Sequence, residues 1–265
     1  MKKIFLQIML LVFSFFAVWF ALQQIDWIKI FHIEQAKKNM EEKLGDSYWE
    51  FFKKVSEEIK YKKVALPVDS IVKKICEENN INKEKIKIHI LRKGEVNAFT
   101  LPNNHLVILS GLIETCDNEA ELAGVIAHEL AHMEKGHVMK KMVKEVGLST
   151  LTSIAGGSSG AVIIKETAKL LSSSAYDRTL EREADITGVD YLIKANIDPE
   201  PFANFLYRLS DETKMPNQIY WLSTHPESKE RAEDIINYIK DKKIIKKSIL
   251  SSDTWIKLKE VLKEE

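Results

Sequence analysis

Residues 128–132 read His-Glu-Leu-Ala-His inside a run, 120–132, whose Ala, Leu and Ile content favours helix. Four residues apart on an α-helix, the imidazoles of His128 and His132 stand one turn above each other and can grip a single cation. Glu129 then lies beside that cation. Two imidazole ligands with an adjacent carboxylate that takes a proton from water is the arrangement used for metal-assisted hydrolysis. Chance alone would produce the pattern in roughly one chain in a hundred of this length, so it gains meaning only with a third ligand and a place for a substrate.

The chain has 265 residues, 45% hydrophobic and 29% charged, enough for one sizeable core plus an appendage. Its 39 Lys and Arg balance 39 Asp and Glu, which excludes the basic surplus that neutralises a nucleic-acid backbone. The appendage is at the start. After Lys2 and Lys3, residues 4–22 are apolar except for Gln7 and Ser14, long enough to cross a hydrocarbon layer of about 30 Å as a helix. A transmembrane signal anchor over residues 1–25 is expected. The rival is a cleaved signal peptide, but no small-x-small site follows, and Trp19, Phe20 and Trp27 are bulky where cleavage needs small residues. Lys2 and Lys3 would hold the N-terminus in the cytoplasm and place the rest on the extracytoplasmic side, periplasmic or extracellular, although Lys29, Lys37 and Lys38 lie beyond the run. There, Cys76 and Cys116 are permitted a disulfide, and equally fit as two small buried residues.

The expected fold is α+β and mainly helical, with a small antiparallel sheet. Residues 33–61 are charged and helix-prone, with 44–47 reading as the stop of one helix and the cap of the next; Trp49, Phe52, Val55 and Ile59 then form one apolar stripe. Another helix is read at 68–78, followed by strands at 86–91, 96–101 and 106–109, the last two joined by Pro102-Asn103-Asn104 as a turn. Asn118 with Glu121 forms a capping box, so the His128 helix should start near Glu119 and run to about Val138. The stretch 148–160, rich in Ser, Thr and Gly, is either a flexible connector or a mobile lid. A long helix over 167–195, one capped by Asp198, one opened by residues 224–226 and an amphipathic tail at 252–263 complete the reading.

For the third ligand, His137 lies five residues past His132 and points about 140° away around a continuous helix, so it reads as a partly exposed side chain. The extended pattern with Gly at 135 and His at 138 fails, since Lys135 and Val138 stand there. The better source is the stretch 180–188, Leu-Glu-Arg-Glu-Ala-Asp-Ile-Thr-Gly. Glu181 and Asp185 lie one turn apart on a face continued by Ala184, Gly188 and Leu192, and Gly188 lets another backbone come close. Glu183 falls about 200° round, facing water. Glu181 is therefore chosen as ligand, with Asp185 accepting the other N–H of a ligand imidazole.

These pieces occur together with Asn97-Ala98-Phe99-Thr100-Leu101-Pro102, Ser110-Gly111-Leu112, Tyr176-Asp177-Arg178 and His225-Pro226 with Arg231. Over about 68–238 the chain resembles the gluzincin-type zinc metalloendopeptidase family of the CAAX prenyl proteases, HtpX-type membrane proteases and their periplasmic relatives. One departure is Asn103-Asn104, where the family often carries two glycines. The expected organisation is an anchor at 1–25, a helical juxtamembrane region at 26–66 and, from the resemblance, a zinc metallopeptidase domain at 67–265. The resemblance implies one Zn2+ held by His128, His132 and Glu181, with Glu129 as the proton acceptor.

It also implies that His225 is a catalytic donor to the developing oxyanion, organised by Arg231; a second possibility is that His225 binds the metal as a fourth ligand and holds the enzyme latent. Asn97 and Ala98 would form the rim of the cleft, where an extended protein substrate pairs through its backbone. The expected activity is a membrane-anchored endopeptidase acting on unfolded or misassembled envelope proteins. The alternative is a zinc-containing, chaperone-like quality-control factor with little proteolysis.

Overall fold

The computed structural model describes residues 9, 12–16, 19, 20, 33–210 and 220–264. Residues 1–40 and 41–265 form two compact units. Among the described residues no helix is long and apolar enough to cross a membrane; most of the expected anchor, including Lys2 and Lys3, lies outside them. The described part of that run is helical and turns its aromatic side chains outward, with Phe13 75% and Phe20 62% exposed.

The second unit is built around α4 (Glu119–Glu134), in which every residue from Glu121 to His132 is buried. A helix apolar all round, rich in Ala and Gly, has no solvent face and must be enclosed by others. Its start is capped as expected: Asn118 Oδ1 accepts from the amides of Ala120 and Glu121, both at 3.1 Å. The Glu121 carboxylate returns to the amide of Asp117 rather than to that of Asn118. The helix stops at Glu134, short of Val138, because Gly136 adopts φ +65°, a left-handed conformation that glycine accepts without a Cβ penalty. A new helix, α5 (His137–Val146), begins directly after it.

Around this core, α1 (Ile33–Val55) and α2 (Lys62–Glu78) precede the sheet, and α3 (Ser110–Thr115) follows it. Then come α6 (Leu148–Ala155), α7 (Ala161–Ser173), α8 (Arg178–Lys194), α9 (Glu200–Leu209), α10 (Tyr220–Thr224), α11 (Ser228–Ile239) and α12 (Ser252–Glu264). The tail helix docks through buried Trp255, Leu258 and Leu262, as its stripe predicts. Asp198 accepts from the amide of Glu200 at the start of α9.

The sheet is mixed rather than antiparallel, in the order β1-β3-β2. Strand β1 (Lys87–Leu91) runs parallel to β3 (His105–Leu109), and β2 (Ala98–Leu101) pairs antiparallel with β3. The hairpin places β3 in the middle because all five of its residues are buried, as a strand covered on both faces requires. Asn103 and Asn104 both have positive φ, 62° and 58°, in the turn. Asparagine is among the few residues that tolerate this conformation, so the asparagines make the turn without glycine. The outer edge of β1 is covered by residues 57–59, whose Ile59 amide donates to Ile90 O.

Four further expectations are corrected. The helix of α1 runs unbroken through Gly45: that glycine is a point of contact, since a Cβ there would meet Pro102 O at 2.2 Å. Val55, at its end, is exposed, while Trp49, Phe52 and Ile59 are buried. The helix expected over 167–195 is two helices, α7 and α8, separated by residues 174–177. The Ser/Thr/Gly-rich stretch is helical in its first half, leaving only 156–160 as a connector. Cys76 and Cys116 are free and buried.

Gly45→Ala should lower stability by about 1–3 kcal/mol despite alanine's better helix propensity, because the added methyl meets backbone rather than a movable side chain. Urea unfolding measures this, and a stabilised variant would contradict the contact.

Candidate metal centre

Helices α4 and α8 approach closely where Gly188 faces the backbone of Ala127 and His128; a Cβ at 188 would lie 3.0 Å from His128 N. This contact carries Glu181, two turns earlier on α8, toward the imidazoles of α4. The Nε2 atoms of His128 and His132 are 2.9 Å apart. Glu181 Oε1 lies 3.3 Å from His132 Nε2, and Oε2 lies 3.7 Å from His128 Nε2. From the loop before α11, His225 places Nδ1 at 3.2 Å from His128 Nε2 and 3.0 Å from Glu181 Oε1. All four side chains are buried, and one ligand atom from each lies within 4.8 Å of the others.

The neighbours of these rings decide what the centre can hold. Asp185 Oδ1 is 2.9 Å from His128 Nδ1, an ion-pair contact without regular hydrogen-bond geometry; an ionised carboxylate only accepts, so the proton belongs on Nδ1 and Nε2 presents a lone pair. His137 Nε2 is 3.2 Å from Glu183 Oε2, which by the same rule leaves His137 Nδ1 as an acceptor. His132 Nδ1, 3.0 Å from His137 Nδ1, therefore carries its own proton, and His132 Nε2 also presents a lone pair. Burial and the neighbouring His128 push the pKa of His132 down to about 3, so its ring is neutral. Two ring lone pairs and the Glu181 carboxylate thus converge on one point beside His225 Nδ1, a donor set that fits a cation. A small cation held tetrahedrally by N and O donors at about 2.1 Å sets them about 3.4 Å apart, close to the separations here.

Sequence reasoning missed His137. The break at Gly136 turns it back onto His132 instead of leaving it partly exposed on a longer helix, and it is fully buried. The signal lay in Gly136, a helix-stop residue four positions after His132. Glu183 is exposed at the rim, as its helix angle implies, yet it sets the tautomer of His137.

Arg231 binds this cluster from α11. It donates to both oxygens of Asp185 at 2.7 Å, lies 2.7 Å from Glu181 Oε2, and reaches His225 O at 3.2 Å. Burial alone would raise the pKa of Glu181, but the charges of His225 and Arg231 hold it well below the usual carboxylate range. Burial would likewise raise Asp185, and Arg231 more than offsets it. Both acids are therefore ionised as acceptors.

Glu129 is fully buried, and neither carboxylate oxygen has a hydrogen bond of normal geometry. His225 Nε2 stands 3.3 Å from its Oε1. Burial alone would raise Glu129; the His225 ring beside it leaves the carboxyl below its ordinary value. His225 itself is stacked on Trp221, ring centres 4.0 Å apart. Asn97 and Ala98 are buried rather than open to solvent. Val96 O accepts from the Trp221 amide, Asn97 Nδ2 donates to Ser172 O, and Thr224 Oγ1 donates to Asn97 Oδ1. The chain's own segments thus cover the approach to the β2 edge.

Comparison with known proteins accords with this centre. The chain is 28% identical over 202 residues to mitochondrial metalloendopeptidase OMA1 of Schizosaccharomyces pombe, covering 74% of this chain and 59% of that protein. It is 27% identical over 187 residues to the beta-barrel assembly-enhancing protease of Escherichia coli strain K12, covering 64% and 38%. With metalloprotease LoiP of the same strain it shares 32% over 164 residues, covering 59% and 64%. The chain therefore spans between about a third and two thirds of the length of these relatives. Residues 63–239, holding every side chain of the centre, match Peptidase family M48, and the chain belongs to that family.

Proposed function

We propose that this chain is a membrane-anchored zinc endopeptidase that hydrolyses peptide bonds in unfolded or misassembled envelope proteins. The observation that carries the reading is Glu129: a carboxylate buried without a good hydrogen-bond partner, next to three convergent acceptors. A cation serving only as a fold staple has no use for such a group, which argues against the chaperone-like alternative.

In this reading His128, His132 and Glu181 hold the zinc, and Asp185 and His137 keep the ring lone pairs pointed at it. Bound zinc would supply the charge that lowers the pKa of a water to about 7 and stabilises a carbonyl oxyanion. Glu129 accepts the proton of the attacking water and passes it to the leaving amine. The substrate backbone would lie along β2 and the Asn97 that precedes it, on the edge that does not pair with β3 and that the Trp221–Thr224 segment covers.

For His225, the fourth-ligand role has the better support, because its Nδ1 lies among the metal-facing atoms. The segment that carries it also bonds to Val96 through Trp221. Withdrawal of this one segment would free the metal's fourth position and the strand edge together, so the resting state is latched.

Outward aromatic side chains in the apolar run support the anchor, and Lys2 and Lys3 support a catalytic unit outside the cytoplasm. The relatives' names, which include an assembly-enhancing protease, support the envelope substrate class.

With the full-length chain, Glu129→Gln should keep zinc and lose unfolded-casein cleavage by about a hundredfold or more; equal proteolysis would sink the mechanism. Glu181→Ala should lose zinc while Glu183→Ala keeps it, by metal analysis, and the reverse would move the ligand. His225→Phe should keep zinc and cleave faster, whereas a drop of about a hundred- to a thousandfold would make His225 the oxyanion donor instead. A reporter fused after Glu265 should be active outside the cytoplasm, and cytoplasmic activity would overturn the orientation.

A further inference from the structure

The short helix α5 buries four side chains, and two of them are polar: His137 and Lys141, one turn apart. His137 meets the edge of the His132 ring. Lys141 touches none of the metal-facing atoms, yet its side chain is 4% exposed. Its ammonium donates to Leu171 O at 3.1 Å and Ser174 O at 2.5 Å, carbonyls at the C-terminal end of α7. Those carbonyls lack helical partners and carry the negative end of the helix dipole, so they attract a cation. Among the described residues, no carboxylate lies within ion-pair distance of it. Burial pulls its pKa down to about 8, even with Glu129 and Glu181 drawing it the other way.

A buried cation without a counter-ion is expensive, and an apolar side chain would fill the same space more cheaply. Capping α7 accounts for the two carbonyl contacts. It does not account for the third, in which the ammonium lies 4.2 Å from the centre of the Tyr176 ring, a cation–π distance. Tyr176 stands in the 174–177 break between α7 and α8, and its ring lies flat on His132, centres 4.0 Å apart at 25°. The ring of His132 is thus held at its edge by His137 and on its face by Tyr176. The Tyr176 side of this clamp is pinned by Lys141, both through the ring and through the carbonyl that ends the preceding turn.

We infer that Lys141, acting through Tyr176, is a positioning residue for His132, fixing the tilt at which its Nε2 faces the metal. This rests on the reading that His132 holds the metal.

The test uses the full-length chain, purified in detergent and zinc-loaded, and follows zinc release to excess chelator alongside casein turnover and thermal melting. Lys141→Met should release zinc about tenfold faster at unchanged starting stoichiometry, with kcat lowered and KM unchanged. Lys141→Arg, which keeps the charge, should restore release to within about twofold of the original. In a Tyr176→Leu background, Lys141→Met should add nothing further, since its route to His132 is already cut. A release rate per folded molecule equal to the original, or effects of the two substitutions that simply multiply, would overturn the role and leave Lys141 as a helix cap. If Lys141→Met does not fold, Lys141→Gln carries the same comparison. His132→Ala separates the underlying reading: loss of zinc upholds the ligand, and retained zinc would overturn ligand and positioning role together.

Discussion

Two imidazole lone pairs and a carboxylate meet at one buried point, and the rest of the molecule is arranged to tolerate that. Left alone, such a cluster would be disfavoured by desolvation and mutual repulsion. It is stabilised from behind by Arg231, which spans Asp185 and Glu181, and from the sides by partners that fix which nitrogen of each ring bears a proton. Its converging ring nitrogens and carboxylate are a donor set that could hold a metal ion.

The packing around it follows from that demand. Helix α4 can carry charged and polar groups through the core only because its other positions are apolar and small enough for neighbours to close over them. Gly188 admits α8, and Gly124 admits Phe202 of α9 at a distance that would exclude a Cβ. The mixed sheet then leaves β2 as its free edge, since residues 57–59 cover the far side of β1. The same segment that brings His225 to the centre also reaches that edge, through the Trp221 amide and Val96 O.

Much of this was legible in the residue order. The start of α4 at Asn118, the tail stripe of Trp255, Leu258 and Leu262, and the shared face of Glu181, Asp185 and Gly188 are local patterns, set by helix periodicity and capping chemistry. Local patterns also mislead. Gly45 reads as a helix stop, yet it serves as a gap for Pro102 O; Thr167 onward reads as one helix, yet the break at 174–177 delivers Tyr176 to His132. In both cases a contact distant in sequence outweighed the modest cost of departing from intrinsic preference.

By itself the sequence determined the side-chain types of the cluster, their helical spacing and the pairing of an HExxH helix with a second acidic helix, because these depend on periods of a few residues. The tertiary structure alone decided which partner sets each tautomer, that His137 turns inward and Glu183 serves the site from its rim, and that β1 lies parallel to β3. It also put His225 Nδ1 among the converging atoms of His128, His132 and Glu181. Those outcomes depend on distances between elements tens of residues apart, where hydrogen-bond direction and the desolvation of charge operate only once the chain has closed around them.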